Sequence, residues 1–372
     1  MTGELPGDVV AAFRIGRFEI ETSRKLGSSV NPVRRVSHVG VLELETSDGL
    51  RGMGVFEASP FPSALPPVEE LVRSFAALIA PKLRGVHPHS FVHKIVAPPR
   101  GGHLRRLIYT QAVDQAMWDL AAKQLRLPLW RMLGGTDPTV PVYASAHDYS
   151  LSTEELVALI GEFRALGLRA VKLKVGFDDA GWERERIQAA WAALHPDLLL
   201  LVDANEAWSA KEAIKRMHQF HDDGVCVYWL EDPCLREDYT AIAEIRQGVP
   251  FSLVNTGENL DVNQKRMLLE RRAVDVLNLH GWYSETLASA QLAAEFGIPV
   301  TVGNVLLDIA APLAPALVGH TMMEYSLTGE DRILEQPYEL QAGGLLRLPD
   351  TAGHGLELNL AARDQLTETR RL

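Results

Sequence analysis

VKLKV (residues 171–175), LLLLVDA (198–204), VYWLE (227–231), VDVLNLH (274–280) and IPVTVG (298–303) are short apolar runs, and helical spacing fills GWERERIQAAWAAL (181–194), SAKEAIKRMHQFHDDG (209–224) and ETLASAQLAAEFG (285–297) between them. Strands alternating with amphipathic helices build a parallel sheet, because each helix returns the chain to start the next strand in the same direction. The alternation starts near residue 140 and supplies most of an eight-fold barrel, although a doubly wound open sheet shares the local pattern.

Upstream the period changes. RFEIET (17–22) and HVGVLELET (38–46) alternate apolar with polar, and Ser47-Asp48-Gly49 makes a turn before GMGVFEA (52–58), so residues 12–57 read as an antiparallel meander. From 67 to 133 the spacing is helical and ends in QAVDQAMWDLAAKQL (111–125), where Ala112, Ala116, Leu120 and Ala121 share one face that would cover the sheet. After about 330 the alternation stops, and QAGGLLRLPDTAGHGLEL (341–358) is rich in turn residues. The expected class is α/β, with an α+β capping domain over 1–133, a barrel over 134–328 and a C-terminal segment, 329–372, that returns to the cap.

The chain has 372 residues, 47% hydrophobic and 23% charged, which fits a globular protein with a large core. A net charge of −11 offers no basic field to displace counterions from phosphates, which argues against nucleic acid as a partner. Cys226 and Cys234 do not form a CxxC pair, and so few thiols suit a reducing cytoplasm better than a disulfide framework. MTGELPGDVVAAF has no basic region leading into an apolar one, and no apolar run reaches the roughly 18 residues of a spanning helix. A soluble, cytoplasmic protein with no membrane partner is the expectation.

A polar residue at the C-terminal end of a barrel strand points to the open mouth. Lys174, Asp203, Glu231 and Glu258 occupy such positions and are 29, 28 and 27 residues apart. One strand-helix unit per step gives that spacing, so the four groups should converge. Three carboxylates without histidine or thiolate form a hard oxygen set that suits one Mg²⁺ per subunit, with positions left for a substrate carboxylate and water. Taken singly, Asp203 and Glu231 could equally cap the next helix or pair with an arginine. Lys172 and Lys174 are two apart on a strand and share its face. Like charge and partial burial each lower a lysine pKa, so a neutral amine is expected near pH 7. His87, His89 and His93 cluster in HPHSFVH, but the adjacent prolines predict an exposed loop.

VKLKVG (171–176), LVDANEAW (201–208), WLEDP (229–233) and TGENL (256–260), with the joining segment QAVDQAMWDLAAKQLRLPLWRMLGG (111–135) and the tail PDTAGHGLEL (349–358), closely resemble the mandelate racemase branch of the enolase superfamily. The resemblance covers nearly the whole chain. It implies a modified TIM barrel of the (β/α)7β kind under an α+β cap, and a homo-oligomer acting on a small carboxylate. It also implies Mg²⁺ held by Asp203, Glu231 and Glu258, Lys174 as base with Lys172 as electrostatic helper, and removal of an α-proton to give an enediolate. Glu324, in MMEY, falls where that family has a glutamic acid hydrogen-bonded to the substrate carboxylate. Residues 24–32 and 56–64 fall where it carries specificity loops.

The sequence departs from the family on the far side of the barrel. Many members pair a histidine on the seventh strand with an aspartate on the sixth. Here the seventh ends in VTVGNVLL, with Gly303 and Asn304, and the sixth in NLHGWY, with His280 in the aspartate's place. Two-base racemisation loses support, and so do activities needing a lysine on the sixth strand. The expected reaction is one-sided: Lys174 takes the α-proton and a β-hydroxyl leaves as water from an acid sugar or related hydroxy acid. His280 is a candidate acid, or a wall residue that orients the substrate. Asn205 and Asn304 are candidates for substrate hydroxyls or metal-bound water, or simply satisfy loop backbone. His147, ending the first barrel strand, is a candidate substrate contact. A racemase or epimerase, and a barrel that binds acidic metabolites without turnover, are the alternatives.

Overall fold

The computed structural model describes residues 9–29, 32–58, 64–94, 108–280, 282–303 and 306–372. Strands β1 (Val10–Leu26), β2 (Arg34–Thr46) and β3 (Arg51–Phe56) form the antiparallel sheet that the alternation predicts, with Ile15 opposite Leu42 and Val41 opposite Val55. Helix Thr110–Gln124 lies directly on β3. A Cβ at Gly54 would sit 1.9 Å from the Ala112 carbonyl oxygen, and one at Gly52 2.4 Å from that of Ala116, so the glycines and alanines permit the approach. The helix is buried on two sides. Ala112, Ala116 and Leu120 join the core of the cap, while Trp118, Ala121 and Ala122 join that of the barrel. Segment Pro88–Lys94 is helical and half-buries His87 and His89, where the sequence predicted an exposed loop.

The second sheet is a closed barrel. Strands β4 (Thr139–Ser145), β5 (Ala170–Lys174), β6 (Leu199–Asp203), β7 (Val227–Glu231), β8 (Leu253–Thr256), β9 (Val276–Leu279), β10 (Val300–Val302) and β11 (His320–Tyr325) pair in parallel and in chain order. β11 returns to β4, with Glu324 beside Tyr143, which eliminates the open sheet. α-Helices follow each of the first six strands, from Thr153–Ala165 to Tyr283–Glu295. The seventh crossover is made of 3-10 segments at Leu306–Asp308 and Ala311–Ala316. Pro315, inside the second segment, removes a donor that an α-helix there would need.

The tail serves both units. β12 (Glu339–Gln341) and β13 (Leu345–Arg347) form a hairpin on β4, and β14 (Arg370–Arg371) pairs with β1. Between them His354 docks at the joining helix, where buried Asp119 accepts from the backbone of Met53 (3.1 Å) and of His354 (2.8 Å) and from Lys123 Nζ (2.8 Å).

Inside the barrel, alternation stacks two layers. Tyr143, Ala170, Leu201 and Trp229 form an apolar plug, with Tyr143 edge-on to Trp229 at 5.2 Å. Two residues further along their strands lie Ser145, Lys172, Asp203 and Glu231, the floor of the mouth.

Candidate active site

The floor is an ion network. Lys172 Nζ lies 2.7 Å from Glu231 Oε1, 3.0 Å from Glu324 Oε2 and 3.5 Å from Asp203 Oδ2. Lys174 Nζ lies 2.7 Å from the same Asp203 oxygen. Strand register explains the convergence, since Lys174 is level with Asp203 and Asp203 with Glu231. The mount is rigid: Asp148, buried and paired with Arg186 (3.0 Å), accepts from the Lys174 backbone N–H (2.8 Å). Glu183 accepts from Gly176 and Phe177 and pairs with Arg216.

Burial alone would lower both lysine pKa values. The surrounding carboxylates together outweigh it, Asp203 and then Glu324 at Lys174, Glu231 and then Glu324 at Lys172, so each is held above its ordinary value. This reverses the expected depression, because spacing shows which face the lysines share but not how many carboxylates meet them. Burial pushes the carboxyls up, yet Lys174 and Lys172 hold Asp203 well below its usual range, and Lys172 and Lys174 hold Glu324 down at about 2. Glu231 is raised by its own burial despite Lys172, and its Oε2 has no hydrogen-bond partner among the described residues.

That orphaned oxygen makes the donor set fit a hard cation. One oxygen from each of Asp203, Glu231 and Asp232 lies within 4.8 Å of the others, all of them buried carboxylates, and carboxylates here outnumber the two lysines. Glu258 stands at the rim. Its Oε2 is 2.8 Å from Arg236, and its Oε1 is 3.9 Å from His280 Nε2.

The other candidates are distributed around this floor. Glu324 accepts from Lys172 and, at 3.4 Å, from Tyr143. His147 is left-handed (φ 48°) and within 3.1 Å of Ser326 Oγ, and burial, then Lys174, push its imidazole down to about 3. Asn205 does not continue the strand face: it is left-handed (φ 46°), donates its backbone N–H to Asp203 Oδ1 (2.9 Å), and its side-chain oxygen has no partner among the described residues. Asn304 lies outside the described residues.

Asp232, Arg236, Asp148 and Asn278 escaped the reading of the sequence. Asp232 follows Glu231, and adjacent strand residues face opposite ways, but its φ of 40° turns the carboxylate back toward the floor. Asn278, inward on β9, donates to Glu231 Oε1 at 3.3 Å; its place on the face of NLH was the available signal.

Among known proteins, the sequence profile described as "Mandelate racemase / muconate lactonizing enzyme, N-terminal domain" matches residues 20–134, and "Enolase C-terminal domain-like" matches 155–362. The chain is 31% identical to 3,6-anhydro-alpha-L-galactonate cycloisomerase of Streptomyces coelicolor over 70% of its own length and 72% of that protein. It is 30% identical to cis-3-hydroxy-L-proline dehydratase of Roseibium aggregatum over 78% of each. A Mesorhizobium loti structure named for mandelate racemase superposes with a TM-score of 0.90 at 35% identity, over 98% of this chain and 96% of that one. A Streptomyces coelicolor racemase solved with bound magnesium shares the fold (TM-score 0.80, 24% identity, 96% and 100% covered). With both domain profiles matched along one chain, the protein belongs to the mandelate racemase/muconate lactonizing enzyme family of the enolase superfamily.

Proposed function

We propose that this protein is a magnesium-dependent enzyme that removes the α-proton of a small carboxylate substrate and dehydrates an acid sugar or related hydroxy acid. The observation that carries this reading is the meeting of Lys172 and Lys174 with Asp203, Glu231 and Glu324 at the mouth of the barrel. Asp203, Glu231 and Glu258 would hold the ion. Bound there, Mg²⁺ would stabilise negative charge developing on the substrate carboxylate and oppose the carboxylates that keep the proton on Lys174.

The chain's own groups divide the rest of the work. Neutral Lys174 accepts the α-proton at Nζ, the pinned backbone under it fixing the amine. Lys172 keeps its proton and offers its charge to the substrate. His280, on the sixth strand and so across the barrel from Lys174 on the second, protonates the departing β-hydroxyl. A dehydratase among the relatives supports elimination. A binding barrel has no use for a base mounted this rigidly. Assembly as a homo-oligomer and a cytoplasmic location belong to the same proposal; both cysteines are free, and no helix among the described residues is long and apolar enough to cross a membrane.

The test is incubation with Mg²⁺ in D₂O, with pools of acid sugars, hydroxy acids and amino acids, followed by NMR. Deuterium incorporation at the α-carbon and a 2-keto acid product, both abolished by EDTA and by Lys174→Ala, are expected. Exchange with inversion and no 2-keto acid would instead establish a racemase or epimerase. Mg²⁺ binding with no exchange on any pool would contradict the catalytic reading.

A further inference from the structure

We propose that Arg236 is a positioning residue that fixes which carboxylates can ligate the metal, holding Asp232 out of the set and leaving Glu258 as the third ligand. The inference rests on the reading that Asp203, Glu231 and Glu258 receive the cation, and it concerns what makes that set three carboxylates rather than four.

By position alone Asp232 is the stronger candidate, since it is the residue that shares a 4.8 Å cluster with Asp203 and Glu231. Its oxygens are already committed. Oδ2 takes Arg236 Nε at 2.9 Å and a terminal nitrogen of the same guanidinium at 2.5 Å, and Oδ1 takes Thr256 Oγ1 at 2.5 Å. Its backbone is held as well, donating to the Asn255 carbonyl and accepting from Glu206. The side chain is wholly buried, so taking it from Arg236 would cost a buried carboxylate its two-bond guanidinium partner.

Glu258 contrasts at every point. It follows Gly257, whose φ of 129° turns the chain where a Cβ would meet the Asn278 carbonyl oxygen at 2.7 Å. Its side chain is 22% exposed, and one nitrogen of Arg236 touches one of its oxygens at 2.8 Å. A partly exposed ion pair made through one contact is exchanged more easily than a wholly buried pair made through two, so an incoming cation draws Glu258 away from Arg236 and leaves Asp232 where it is. Glu206 fixes the plane of the guanidinium, with Oε2 2.9 Å from Nη1 and Oε1 accepting the Arg236 backbone N–H at 2.8 Å. Arg236 therefore discriminates between two neighbouring carboxylates by the burial and the number of the contacts it makes with each.

Ligand number controls which ion is preferred. Ca²⁺ takes more oxygens, at longer range and in looser geometry, than Mg²⁺. A fourth carboxylate released into the site would raise Ca²⁺ affinity relative to Mg²⁺.

The experiment is calorimetric titration of the purified full chain with MgCl₂ and, separately, CaCl₂. Glu258→Gln is expected to weaken Mg²⁺ binding by about tenfold or more, and Asp232→Asn by less than about threefold. Arg236→Gln is expected to raise the Ca²⁺/Mg²⁺ affinity ratio by about tenfold, and adding Asp232→Asn to it should restore the original ratio. Circular dichroism checks each fold. Should Arg236→Gln fail to fold, the double variant, which removes both members of the buried pair, still reports: its ratio must match that of the unsubstituted protein. An unchanged ratio in Arg236→Gln, or an Asp232→Asn loss equal to that of Glu258→Gln, overturns the inference alone. No Mg²⁺ binding by the unsubstituted protein overturns the proposed function, and this inference with it.

Discussion

Two buried charge clusters in this molecule are built differently. At the junction of cap, joining helix and tail, Asp119 takes hydrogen bonds from Met53, His354 and Lys123, and His354 engages both its ring nitrogens, Nδ1 with the Leu356 N–H and Nε2 with the Met53 carbonyl. In the mouth of the barrel, Glu231 Oε2, Asn278 Oδ1 and both side-chain amide atoms of Asn255 have no partner among the described residues, in a set almost wholly buried. Buried polar groups in native proteins are nearly always satisfied. The saturated cluster reads as a fastener between units, and the unsaturated one as a place prepared for something else to bind.

The sharpest break in that contrast should come from Lys174→Ala, which is expected to lower α-proton exchange by about 10²–10⁴-fold while moving the melting temperature little. A large loss of stability instead would make the lysine part of the fastening. Asp119→Ala should do the converse. It leaves the buried Met53 and His354 backbone donors without an acceptor and Lys123 without its carboxylate, and should cost about 3–5 kcal/mol in denaturant unfolding, with Mg²⁺ affinity unaltered in the protein that remains folded.

Acid offers a third way to separate them. Burial holds His354 below its ordinary value and pushes His320, on β11, down to about 4. Both are therefore neutral in the fold, and the unfolded chain binds the extra protons. Stability is fully present above about pH 6.5 and falls as pH drops below it, by about 2 kcal/mol for His320 at pH 5. The urea midpoint of His320→Gln should therefore lose less between pH 7.5 and 5 than that of the unsubstituted protein. The smallest effect is expected at Asn278→Ala, which removes the donor to Glu231 and should weaken Mg²⁺ binding by about tenfold without a matching loss in melting temperature.

Much of this architecture can be read from period and spacing. The steps between Lys174, Asp203, Glu231 and Glu258 locate strand ends because each βα unit has nearly constant length, and GMGVFEA with its facing alanines encodes the contact between cap and joining helix. The tail hairpin on β4 was not legible, since three-residue strands carry too few side chains to show alternation. Nor was the role of Asp232, where one left-handed residue cancels the alternation on which the reading depends. The charge state of the lysines was illegible for a different reason: it depends on side chains arriving from the third, fourth and eighth strands, a sum that no local window contains.

The plug of Tyr143, Ala170, Leu201 and Trp229 fills the barrel axis beneath the ion network. Substrate, product and a proton collected by Lys174 therefore meet bulk water on the mouth side of that plug. Deuterium wash-in would then time the traffic at the entrance as well as the chemistry on the floor, and the slower of the two would set the pace.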